Sequence, residues 1–169
     1  DSLKEPATPQ FYSGSYFRKP DLVIKPREAV VIKGNGTDVF LIMKYPYQVE
    51  KDTIIDFVEF VPHQRKLVHH VNGHLVSYDA NRKFNYFGGI SVHSDTRAQL
   101  MDVYRDMHLP YTNPGRSTFP TLTPNTVYYL PGYIPPTYPK EVGGYRFKKN
   151  GLFLSTVPFQ SAWPNVRFF

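Results

Sequence analysis

The chain has 169 residues, one domain's worth of length and enough to bury a substantial core. Its 16 prolines exclude an all-helical bundle, since each costs roughly 3 kcal/mol inside a helix, and its 13 Tyr and 13 Phe exclude disorder. It contains 0 cysteines, which excludes a disulfide scaffold, a thiolate zinc site and a cysteine nucleophile, and its net charge is +6.

That charge raises the question of nucleic acid, whose binding is dominated by phosphate neutralisation. The basic residues, however, stand as isolated pairs (Arg18-Lys19, Arg65-Lys66, Lys148-Lys149) among acids. In Tyr145-Arg146-Phe147-Lys148-Lys149 the alternation fits a strand with rings inward and cations outward, and no nucleic-acid partner is expected. No apolar run approaches the ~20 residues that span a bilayer, so no transmembrane segment is expected either.

In chain order, residues 1–20 read as an N-terminal arm and 21–169 as a single β-sandwich domain. Ala29–Lys33 and Thr37–Met43 flank Gly34-Asn35-Gly36 and predict a hairpin. Asn35-Gly36-Thr37 also spells a glycosylation sequon, but a turn accounts for the same residues. Thr53–Val61 and Lys66–Asp79 each read as a strand, the first with apolar residues on both faces, as between layers. One short helix is expected near residues 95–107, capped by Ser94 or Asp95, with Leu100, Val103, Tyr104 and Met107 on one stripe. Tyr111–Thr126 is a polar loop, and Val127–Leu130 leads into a segment too proline-dense for a central strand. Gly143–Lys149 and Leu152–Val157 predict a second hairpin around Asn150-Gly151. Short strands with turn signals and one helix give an all-β antiparallel sandwich.

Four of the 6 histidines, His63, His69, His70 and His74, fall close together; His93 and His108 stand apart. Imidazole suits copper and zinc, so this cluster is the one candidate metal site. His70-x-x-x-His74 has the spacing of a zinc-binding helix, but Val71 and Gly73 disfavour helix and the Glu of that motif is missing. On a strand, neighbouring histidines point to opposite faces, so His69 and His70 share an ion only through a bulge or strong twist, or by using different ring nitrogens. The plainer alternative is one histidine in the core and one in solvent. Asn72-Gly73 reads either as a hairpin turn or as a bulge in a continuing strand.

Leu67-Val68-His69-His70-Val71 followed by an apolar strand resembles the paired-histidine strand of copper type II, ascorbate-dependent monooxygenases, the peptidylglycine α-hydroxylating and dopamine β-monooxygenase family with its bacterial relatives. Tyr129-Leu130-Pro131-Gly132-Tyr133, Tyr138-Pro139, Gly143-Gly144 and Leu152-Phe153-Leu154 follow in the order of the bacterial members. The resemblance spans residues 38–157. It implies a jelly-roll sandwich, the continuing-strand version of Asn72-Gly73, and copper on His69 and His70. It also implies a third histidine just after the Leu-x-Leu strand, near Val157, where this chain has none; His74 is the weaker substitute. Codons for Val157–Trp163 can be chosen so that the +1 frame spells x-His-Phe-Ser-Pro-Leu-Gly, so the atypical tail 157–169 also reads as out-of-frame sequence. The chain has no His-x-His, the pair that holds the family's oxygen-activating copper. The reading is therefore the copper-binding, electron-transfer half of a monooxygenase-like protein, inactive alone. Ascorbate or another reductant and a second copper domain would serve only an intact enzyme. Asp1 in place of an initiating Met fits a removed leader and an extracytoplasmic (periplasmic or secreted) location. The alternative is a metal-free binding or assembly module using Tyr128, Tyr129, Tyr133 and Tyr138. No catalytic residue is expected. A hydrolase is disfavoured, since no Gly-x-Ser-x-Gly elbow or evident carboxylate pair is present.

Overall fold

The β-branched and aromatic runs become strands, and most of them join one sheet. The computed structural model describes residues 19–32, 37–78, 84–94, 98–110, 120–159 and 166–168. The arm up to residue 18, the 33–36 turn with its sequon asparagine, Asp95 and residues 160–165 of the tail lie outside them. The strands are β1 (Val30–Ile32), β2 (Val39–Gln48), β3 (Thr53–Ile55), β4 (Val71–Ser77), β5 (Val92–His93), β6 (Thr121–Tyr129), β7 (Tyr145–Phe147), β8 (Asn150–Phe159) and β9 (Val166–Phe168). A five-stranded antiparallel sheet has the order β5-β2-β8-β4-β6, and β1-β9 and β3-β7 form two-stranded ribbons. The fold is all-β and sandwich-like, as expected. Where a jelly roll opposes two sheets of one eight-strand set, the described residues show one sheet faced by ribbons.

Alternation explains the two layers. On β2, Leu41, Met43, Tyr45 and Tyr47 enter a core with Val71, Leu75, Val127, Phe153 and Val157, covered by Val30, Ile32 and Phe147 of the ribbons. Ile42 faces the other way, into a second core of Val76, Leu152, Val103, Tyr104 and Met107. Strands with both faces covered carry apolar residues at nearly every position, and β2 and β8 read that way.

Several expectations need correction. Neither predicted hairpin forms: β1 pairs with β9 while β2 lies between β5 and β8, and Asn150-Gly151 sits inside β8 rather than between paired strands. The reason at Gly151 is close approach, because a Cβ there would come 2.3 Å from the Tyr47 hydroxyl. Thr53–Val61 is a strand only to Ile55; beyond it the Asp56 carbonyl accepts a hydrogen bond from the Tyr138 amide instead of a strand partner. The polar loop ends earlier than Thr126, since β6 begins at Thr121. Its edge position tolerates Pro124, which falls in the register shift opposite His74. The helix, α1 (Leu100–Asp106), is shorter than its pattern and starts after Gln99, not at Ser94 or Asp95.

The second face carries one charged residue at its centre. Lys44, 1% exposed, donates from Nζ to the carbonyls of Gly88 and of Met107 (2.6 Å), and Arg27 donates to the neighbouring Phe87 carbonyl. The ammonium thus ties β2 to the end of α1 and to the 84–91 loop. Burial lowers its pKa to about 8, and Arg27 adds to the shift. Below that pH the amine is charged folded or unfolded, and folding bears its desolvation. From about 8 to 10.5 the folded protein has released a proton that the unfolded chain keeps, so stability rises with pH. At higher pH, burial of Tyr45 (pushed up to about 12), Tyr47 and Tyr78 acts oppositely, because the unfolded chain ionises first. The urea midpoint should therefore rise between about pH 7.5 and 9.5 and fall above about 10.5; Lys44→Met should abolish the rise. The Tyr47 hydroxyl is buried with no hydrogen-bond partner, beside Gly151. Tyr47→Phe should leave stability unchanged or raise it by up to ~1 kcal/mol in urea melts. Gly151→Ala should lower it by roughly 1–3 kcal/mol.

Candidate metal centre

The segment before β4 brings the paired histidines to the sheet without forming part of it. A single 3-10 turn, Arg65–Leu67, buries Leu67, Val68 adds to the first core, and β4 starts at Val71. Between these anchors His69 is exposed and His70 half-buried, so the pair is not split between core and solvent. The His69 amide donates to the Pro158 carbonyl at 3.2 Å, which fixes its backbone against β8. The two rings lie edge to face, with centroids 5.3 Å apart and planes at 71°.

Their Nδ1 atoms are 3.0 Å apart. One protonated and one bare Nδ1 make a hydrogen bond at this distance. Two nitrogens that bind one ion at about 2.0–2.1 Å also lie about 2.9–3.3 Å apart when their directions are 90–109° apart. The separation therefore matches that of two adjacent positions on a copper or zinc ion, which would take the place of the one proton shared between the two Nδ1 atoms. Among the described residues no group of three or more His, Cys, Asp and Glu is assembled.

The stretch that the resemblance assigns to a third ligand does reach the pair, through the Pro158 carbonyl. Its side chains are Val157, fully buried in the first core, and buried Pro158, and neither can ligate. Val157 and Pro158 complete the β2–β8 register, opposite Leu41 and Phe40.

His74 lies elsewhere. Asn72-Gly73 runs on within β4, the continuing-strand alternative, and a bulge falls between Gly73 and Leu75. At ~3.3 Å per residue His74 is about 13 Å along the strand from His70. Its Nδ1 accepts the Asn125 amide at 3.2 Å, so its proton sits on Nε2, which is then a donor. Asn125 has φ 53°, the left-handed conformation that asparagine tolerates. Buried His93 meets Asp106 at 3.5 Å, where Arg105 first and His93 second hold the carboxyl below its usual range. His63 and His108 are exposed.

The tyrosine loop is organised by its own rings. Tyr128 and Tyr133 pack edge to face at 5.0 Å, and Tyr138 and Tyr145 at 5.1 Å, with the Tyr138 hydroxyl donating to that of Tyr145 at 3.3 Å. Burial, then this bond, pushes the Tyr145 phenol up to about 12. Val58, Asn125, Tyr128, Tyr133 and Tyr145 help to line a cavity of about 20 Å³, room for one water. Tyr129 lies against Phe60.

The pairing of Pro158 with His69, of Asn125 with His74 and of Asp106 with His93 escaped the sequence reading. Only Asn125, an asparagine in a Thr-Pro-Asn-Thr turn context, carried a local signal. No family model, curated protein or solved structure matches this chain. His74→Ala should cost about 1 kcal/mol in urea melts, the value of the lost Asn125 bond, and leave the His69–His70 geometry intact.

Proposed function

We propose that this chain is a copper-binding domain, the electron-transfer half of a copper-dependent monooxygenase-like protein. The observation that carries the reading is the 3.0 Å separation of the His69 and His70 Nδ1 atoms at the surface. Copper bound there supplies one-electron exchange between two oxidation states. The chain's own part is positional. The His69 amide on Pro158 and the buried Leu67, Val68 and Val71 hold the backbone on either side of the rings. The two imidazoles would hold the ion through their Nδ1 atoms. The absence of His-x-His from the sequence supports a role without oxygen activation.

A second reading, a metal-free binding module, draws on exposed apolar residues near the tyrosine loop: Ile134 (52% exposed), Val142 (72%) and, on β3, Ile54 (64%). Copper content separates the two. After loading with Cu(II) and removal of excess, wild type and His74→Ala should retain copper, half to one equivalent per chain, with a type II EPR signal, and His69→Ala/His70→Ala should not. Equal, low copper in all three proteins leaves the binding module.

A further inference from the structure

The pair offers two nitrogens, whereas copper and zinc in closed sites take four ligands. All six histidines are among the described residues, and none joins His69 and His70. The exposed His69 ring and half-exposed His70 ring leave the remaining positions facing outward.

We propose that two copies of this chain close on one divalent ion, each giving the Nδ1 atoms of His69 and His70, so that the complete centre holds four imidazoles at a two-fold interface. The inference rests on the reading that the pair binds metal. A two-fold contact is self-complementary: His69 and His70 meet their own counterparts across the ion, which completes four ligands from two identical pairs. Each copy carries a net charge of +6, so the copies repel one another and association depends on the ion. Added salt screens this repulsion and favours the dimer.

Sedimentation velocity on metal-free protein titrated with Cu(II), and separately Zn(II), tests it. The expected result is a doubling of mass complete at half an equivalent of metal per chain, reversed by EDTA and absent in His70→Ala. The Cu(II) EPR spectrum should show superhyperfine coupling to four nitrogens. A monomer holding one copper per chain overturns the shared centre and leaves the copper-domain reading in place. A dimer that forms without metal, or persists in His70→Ala, overturns it too. Failure of wild type to retain either metal removes both.

Discussion

Everything in the described fold is hung on β8. It is hydrogen-bonded on both edges, to β2 along its whole length and to β4 from Leu152 to Thr156. A strand held on two sides has no freedom of register, because a one-residue slip would exchange its faces. Phe153 and Val157 would then leave the first core, and Leu152 and Leu154 the second. The same constraint delivers the histidines. Beyond the last β4–β8 pair, the Pro158 carbonyl still reaches the His69 amide, so the position of the pair follows from the ladder rather than from contacts of its own.

The glycines show where reading the chain succeeded and failed. Asn35-Gly36 and Asn150-Gly151 suggested a reversal of the chain, and Asn72-Gly73 read as either a turn or a bulge in a continuing strand. Asn72-Gly73 and Asn150-Gly151 lie within strands, where glycine makes room: a Cβ at Gly73 would come 2.8 Å from that of Val127, and one at Gly151 would meet Tyr47. Local dipeptide statistics describe the backbone these residues permit. What decided their use was the side chain facing them from a strand 54 or more positions away in sequence for Gly73 and 104 for Gly151, as Val127 and Tyr47 stand. The all-β class and the short helix before Pro110 were legible because they depend on alternation and on proline. Strand partners were not, since apolar runs on either side of a turn look alike whichever sheet they join.

The histidine pair was legible as a candidate and not as a geometry. Alternation along a strand would have sent His69 and His70 to opposite faces. They meet because β4 begins only at Val71, leaving both outside the regular pleat while Val68 and Val71 are buried on either side. His74 shows the converse. It lies within β4, at the bulge, and the chain supplies it with an internal partner in Asn125. Of three neighbouring histidines, the one inside the strand has its Nδ1 taken by the backbone, and the two outside it bring their Nδ1 atoms to each other.

The two faces of the sheet also divide the work. The second face is closed by a charge: Lys44 satisfies carbonyls at the end of α1 and in the 84–91 loop, whose Gly89, at φ 73°, comes so close to Met107 that a Cβ would sit 2.6 Å from its carbonyl carbon. Buried donors and acceptors joined in this way are costly to separate, so that end of the sheet is held by directional bonds as well as by apolar contact. Where β8 runs past His69, its ladder to β2 continues to Phe159, while on the histidine side one backbone hydrogen bond and the packing of Leu67, Val68 and Val71 hold the chain. A group that draws the two Nδ1 atoms to one point would reinforce this end and leave the clamped one unchanged. Binding that favours only the folded geometry adds its free energy to folding, and here it would do so at the segment that joins the histidines to β8.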